Sequence, residues 1–182
     1  MENVHVHPYQ RRLELFATTG WRPHIARAPK PRIVSGGQTG VDRAALDAAL
    51  ALGLSAGGWC PQGRRAEDGE IPARYPLVET SSSKYPARTR MNVHDSDATL
   101  ILTLGVLDSG SRLTASFAQR EGKPFLVVQL DAADALERAR AWLAQVQPRV
   151  LNVAGPRASK QHGVYGRTFA FLSRLLKREM PQ

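Results

Sequence analysis

RIVSGGQTGVDRAALDAAL, residues 32–50, decides the fold. A short apolar run, Ile33-Val34, breaks into Gly36-Gly37-Gln38-Thr39-Gly40, and a helical pattern starts at once at Val41. A strand that turns through glycines straight into a helix gathers backbone N–H groups and the positive helix end at one point, which suits an anion. The turn is not a Walker loop, because no Lys follows at G-x-x-x-x-G-K spacing, and it lacks the G-x-G-x-x-G of a dinucleotide fingerprint. Gly36, Gly37, Gln38, Thr39 and Gly40 are therefore candidate anion-binding residues, with Thr39 adding a hydroxyl. The alternative is a tight turn with Thr39 as a helix cap. Asp42 and Arg43 follow in the first helical turn. Asp42 either favours the helix start electrostatically or contacts a ribose or a cation.

Outward from this stretch the chain keeps one rhythm. Apolar runs recur at residues 98–102, 125–128 and 150–153, with a weaker one near Leu54. Helical patterns occupy 41–52, 88–95, 113–121, 131–145 and 165–177. Strands without polar alternation, separated by helices, predict an α/β fold: an open parallel sheet with helices on both faces. In such sheets ligands bind at the carboxyl ends of the strands. That rule selects the loops after Val34, Leu102 and Val153.

The second of these loops offers Ser109, Gly110, Ser111 and Thr114, small donors at a strand end adjacent to the first, so that the two loops would grip one anion from both sides. The third carries Arg157, Ser159 and Lys160, placed for a distal anionic group or else a helix-start loop. Arg88 lies in a helix ahead of the strand at 98–102, with Asn92 on the same face at i, i+4. A guanidinium there would neutralise an oxyanion in a bidentate manner. Residues 57–84, with three prolines and little periodicity, predict an ordered loop beside the site, anchored by Trp59, Ile71, Tyr75 and the following Tyr85. It concentrates Arg64, Arg65, Glu67, Asp68 and Glu70, of which Arg64, Glu67 and Asp68 are further candidates. Carboxylates near a bound phosphate suggest Mg²⁺ or general-base chemistry; a solvated charge cluster is the alternative. No metal-ligand set is assigned, and His94 reads as structural.

Composition narrows the class. At 182 residues the chain is one domain's worth, able to bury a core without disulfides. Residues 31–182 read as that domain and residues 1–30 as an extension. Within the extension, 11–17 predict one or two helical turns, and His5 and His7 alternate with valines in an exposed strand or tail. One cysteine, Cys60, excludes an internal disulfide and fits a reducing cytoplasm; it reads as a buried thiol. No apolar stretch reaches membrane-span length, and MENVHVHPYQRRLELF lacks the pattern of a signal peptide. The net charge is +9, yet Lys and Arg are scattered without a basic stripe, which argues for a small anion over nucleic acid.

The motifs IVSGGQTGVDRAALDAAL, GGWCPQGRRAEDGEIPARYPLVET, RTRMNVHDSDATLIL and NVAGPRASK, in this order over about residues 31–178, resemble the putative molybdenum carrier family. That family is a YpsA-related branch of the LOG-like (SLOG) Rossmann superfamily. The resemblance implies a Rossmann-like domain whose ligand sits over GGQTG and the Gly-Ser loop. It also implies a carrier of an anionic, phosphate-bearing ligand: molybdenum cofactor or molybdate. Molybdoenzymes or cofactor-synthesis proteins would be its partners, and a dimer or tetramer its assembly. Related LOG hydrolases carry R-K-x-x-M before a strand and then P-G-G-x-G-T-x-x-E. Here Arg88 and Ser96-Asp97-Ala98 keep that spacing, but the position of the catalytic Glu holds Phe117. Phenylalanine serves neither as base nor as oxocarbenium partner. The chain therefore reads as a binder rather than an enzyme. The alternative is a nucleotide-processing N-glycosidic hydrolase using the acidic loop, or a sensor of a nucleotide-derived ligand.

Overall fold

The computed structural model describes residues 30–177; the expectations for residues 1–29, including His5, His7 and the turns at 11–17, lie outside them. Five parallel strands form the main sheet: β1 (Arg32–Val34), β2 (Ala56–Gly57), β7 (Ala98–Thr103), β8 (Phe125–Gln129) and β9 (Val150–Ala154), in the order β2-β1-β9-β7-β8. Between them run α1 (Val41–Ala51), α2 (Tyr85–His94), α3 (Ser109–Arg120), α4 (Ala135–Val146) and α5 (Val164–Leu176). Helix α1 packs on α5 and α5 on α4, while α2 packs on α3. Right-handed crossovers require this division, because β1→β2 and β7→β8 step in opposite directions along the sheet. The predicted fold class therefore holds: a Rossmann-like α/β sheet with helices on both faces. Among the described residues, no helix is long and apolar enough to cross a membrane.

The central strand is the last in sequence. Counting β9 first turns the order into 3-2-1-4-5, that of a doubly wound dinucleotide-binding half. The chain thus has that topology with its ends relocated. Such a relocation needs the two ends of the domain to meet, and at the limits of the described residues Lys30 Nζ donates to the Leu176 carbonyl.

Strand burial explains the apolar runs. All six residues of β7 are buried, and its Ala98, Leu100 and Leu102 join Ile33, Leu151 and Val153 in the main core beneath α1 and α5. Helix α1 is buried nearly all round, with Ala44, Ala45, Ala48 and Ala49 letting it lie close to its neighbours. Its Leu46 faces the other way, into a second core with Cys60, Ile71, Tyr75 and Leu77.

That second core gives the long segment after β2 its order. Read from sequence as a loop, it holds two small sheets, β3 (Trp59–Cys60) with β6 (Val78–Glu79) and β4 (Arg65–Ala66) with β5 (Gly69–Glu70). Strands of two residues leave no periodicity to read. Arg64 acts as an internal strut: its guanidinium donates to the carbonyls of Ile71, Pro72, Tyr75 and Leu77. Asp47 of α1 accepts from the hydroxyls of both Tyr75 and Tyr165, tying this segment to α5. Burial and that carboxylate push the Tyr165 hydroxyl up to about 12.

Asn92 joins the segment to α2. Its side-chain amide accepts from the Trp59 N–H at 2.8 Å and donates to the Trp59 carbonyl at 2.9 Å, copying a strand neighbour. Asn92→Ala leaves both Trp59 groups unpaired in a half-buried position, an expected loss of about 1–2 kcal/mol. A urea midpoint that does not move would refute the role.

Candidate functional site

The carboxyl-end rule locates a cavity of about 280 Å³. Four segments wall it. The β1–α1 turn contributes Gln38 and Asp42, and α2 contributes Tyr85, Pro86, Arg88 and Thr89. The start of α3 contributes Asp108, Ser109, Gly110, Leu113 and Thr114, and the β9–α5 loop contributes Ala154, Gly155, Arg157 and Lys160.

Two expectations change here. The strand ends of β1 and β7 are not adjacent, because β9 lies between them. The β1 and β7 connections therefore face each other across the β9 loop rather than gripping from neighbouring strands. Residues 109–114 are also not a loop. Helix α3 begins at Ser109, four residues before the pattern suggested, because Asp108 caps it by accepting from Ser111 N–H at 2.7 Å. As the first residues of the helix, Ser109 and Gly110 have N–H groups with no acceptor inside it, and both border the cavity. Thr114 also borders it, its hydroxyl turned back to the Gly110 carbonyl at 3.1 Å. Ser111 is buried beside the lining, and its hydroxyl finds no partner.

At one wall Arg88 meets Asp42, Nη1 to Oδ2, at 3.1 Å. Asp42 is almost fully buried and Arg88 largely so, with side chains 3% and 14% exposed. Burial raises the Asp42 carboxyl above the usual carboxylate range, and the Arg88 charge and the Gln38 N–H offset only part of that. Gly36 explains itself through this pair: a Cβ there would fall 1.8 Å from Arg88 Nη1. Gly40 likewise makes room for the β9–α5 loop, since its Cβ would meet the Pro156 carbonyl oxygen at 2.5 Å, and its φ of 75° disfavours other residues. The glycines of GGQTG are thus explained by the chain's own packing.

The rest of that turn is held from above by the β4–β5 hairpin. The Gln38 side-chain oxygen accepts from Thr39 N–H and Glu67 N–H. Glu67 accepts from the hydroxyls of Thr39 and Ser159 and, at 3.2 Å, from Ser159 N–H. Asp68 takes both Nη atoms of Arg43, whose Nε reaches the Gly37 carbonyl. Burial works against ionised Glu67, but its Ser159 and Thr39 hydrogen bonds and the Arg157 charge win, so its carboxyl sits below the usual range; the Arg43 hydrogen bond and charge lower Asp68 in the same way.

Of the residues marked from sequence, Gln38, Asp42, Arg88, Ser109, Gly110, Thr114, Arg157 and Lys160 line the cavity. Gly36, Gly37, Thr39, Gly40, Arg43, Ser111, Arg64, Glu67 and Asp68 stand behind or beside it as supports. The described residues hold no group of three or more His, Cys, Asp or Glu side chains placed for a metal ion. Sequence reading missed Asp108, Leu113 and the pair Pro86 and Thr89. The signal was present in Pro86, which sits in the first turn of α2. Tyr85, read as a loop anchor, is the first residue of α2, and the Arg157 guanidinium lies 5.7 Å above its ring.

The lining holds three cations, Arg88, Arg157 and Lys160, against two carboxylates, Asp42 and Asp108. The cavity is therefore net positive, with hydroxyls, open N–H groups and one flat aromatic side.

Over residues 33–176 the chain matches the circularly permutated YpsA SLOG family. Among solved structures it is similar to a crystal structure named putative molybdenum carrier protein, from Syntrophus aciditrophicus SB. The two share 44% identity at a TM-score of 0.77, covering 82% of this chain and 98% of that one. No curated protein matches the sequence.

Gly36→Ala should push the Arg88 guanidinium off Asp42 and leave that buried carboxyl without its charged partner, an expected loss of about 1–3 kcal/mol; an unchanged chemical-denaturation midpoint would contradict the packing. The hairpin predicts a pH dependence of defined sign. Because the folded-state values of Glu67 and Asp68 lie below the ordinary 4.5 and 3.8, their stabilisation is complete above about pH 4.5 and is lost as pH falls through the lowered values. Carboxyl ¹³C titrations by NMR should report both midpoints as depressed, and ordinary midpoints would refute the clasp.

Proposed function

Because the chain belongs to the circularly permuted YpsA SLOG family, we propose that it is a binding and carrier protein for an anionic, phosphate-bearing small molecule, with molybdenum cofactor as the cargo. The supporting observation is the net-positive cavity at the β7 and β9 carboxyl ends, where open N–H groups of α3 meet Lys160 and an aromatic side. A helix start with unpaired N–H groups holds a phosphate. Tyr85, Pro86 and Leu113 offer a flat apolar surface for a ring system. Lys160 has no partner within the described protein and supplies charge. Arg88 is set beside Asp42, so that a bound anion and Asp42 share one guanidinium.

Size supports one cargo over the other. A volume of about 280 Å³ lies at the lower edge of the roughly 300–1,000 Å³ typical of organic-ligand sites. It is roomy for a bare tetrahedral oxyanion, which favours the cofactor over molybdate alone. The donor chemistry agrees: the lining offers N–H, hydroxyl and cationic groups, whereas the thiol of Cys60 is buried in the second core. A ligand is thus held through oxygens rather than by a soft metal–sulfur bond.

The two acidic residues that a hydrolytic reading would enlist, Glu67 and Asp68, are committed to Thr39, Ser159 and Arg43. A carrier releases its cargo unchanged, so molybdoenzymes or cofactor-synthesis proteins would be its partners. A cytoplasmic dimer or tetramer is the assembly proposed.

Isothermal titration with purified molybdenum cofactor, and separately with sodium molybdate, tests the reading. The cofactor should bind with one site per chain, and Lys160→Ala should weaken it about tenfold to a hundredfold, the value of one charge-assisted contact. Absence of heat with both compounds would sink the carrier role.

A further inference from the structure

We propose that the Glu67 carboxylate occupies a second oxyanion subsite at the mouth of the cavity, built to take one phosphate group of a ligand that carries two. The proposal deepens the carrier reading and rests on it for the first phosphate only. Four donors converge on Glu67. Its Oε1 accepts from the Thr39 hydroxyl and from Ser159 N–H at 3.2 Å. Its Oε2 accepts from the Ser159 hydroxyl and faces Arg157 Nε at 3.8 Å. Two hydroxyls, one backbone N–H and one guanidinium around a single acidic group make a typical oxyanion donor set.

None of these donors belongs to the hairpin that carries Glu67. All come from the β1–α1 turn and the β9–α5 loop, two of the segments that border the cavity. The subsite is continuous with the cavity, since Arg157 and Lys160 line it and Thr39 follows Gln38, which also does. Thr39 is held independently of Glu67, because its hydroxyl oxygen accepts from Ala158 N–H at 3.1 Å. The donor set therefore keeps one half of its framework when the carboxylate leaves.

Displacement requires only a side-chain swing. The bidentate Arg43–Asp68 pair, with its 2.7 Å Nη2–Oδ1 bond, anchors the hairpin tip one residue away. Glu67 N–H keeps its own bond to Gln38. A phosphate dianion outcompetes a carboxylate for this set because Lys160, next to Ser159, adds a charge that Glu67 leaves unused. Glu67 thus works as a latch that discriminates ligands with two anionic groups from ligands with one.

Inorganic phosphate is the probe, followed by calorimetry and ³¹P NMR on the full chain. Wild type should bind one phosphate in the cavity and a second, at the latched subsite, more weakly. Glu67→Ala should bind two, and adding Ser159→Ala should return it to one. A latch closed nine-tenths of the time masks the subsite about tenfold, so Glu67→Ala should tighten the second event by that factor. Equal stoichiometry and affinity in wild type and Glu67→Ala would overturn the subsite. Zero phosphate in wild type with one in Glu67→Ala would overturn the cavity reading and support the subsite. Native protein supplies a readout that needs no variant. Pyrophosphate should strip Glu67 of its donors and return its ¹³C titration midpoint toward 4.5, the ordinary value. A midpoint unmoved by saturating pyrophosphate would overturn the latch.

Discussion

Asp42 and Arg88 hold the two sides of the molecule together. Asp42 belongs to α1 and Arg88 to α2, helices that pack on opposite sides of the sheet. Their link passes the end of β1, where only a residue without a Cβ leaves space for a guanidinium. Taking two charges out of water costs more than their attraction returns unless the geometry is good. That balance shows in the raised Asp42 carboxyl, where burial outweighs the neighbouring cation. The pair is thus less a source of stability than a fixed point: it sets where a positive group stands at the cavity wall, and it makes residue 36 a glycine.

Around that point the chain builds two layers of support. The main core under α1 and α5 fixes the strands, and the second core places the β4–β5 hairpin over the GGQTG turn. The hairpin is too short to persist alone. It stays in place because Arg64, Arg43 and the donors around Glu67 each satisfy several groups at once. Charged residues that would be solvated elsewhere are here the mortar between segments with few apolar contacts of their own.

The sheet was readable because its strands are buried on both faces, which leaves continuous apolar runs such as residues 98–102. Helix spans were readable wherever an apolar stripe repeats, and ill-defined where a cap decides the start, as with Asp108 ahead of Ser109. The carboxyl-end rule located the cavity, and eight of the marked residues line it. What the residues could not reveal was partnership. Thr39, Arg43, Glu67 and Asp68 look like ligand-facing groups in one dimension, and their mutual hydrogen bonds depend on a hairpin with no periodic signal. Strand order was equally hidden, since nothing local tells β9 to insert between β1 and β7.

That insertion has a bearing on how the chain is made. Until residues 150–154 emerge, β1–β2 and β7–β8 are two separate ribbons with no backbone hydrogen bond between them. Each presents an open inner edge, and β7 carries Ala98, Leu100 and Leu102 on one face, the kind of surface that nascent chains aggregate through. The sheet and the cavity floor therefore close together, late in synthesis, when the last strand arrives. A ribosome-bound chain lacking residues 150–182 has the donors of GGQTG but neither Arg157 nor Lys160, so a product truncated there carries no complete anion site.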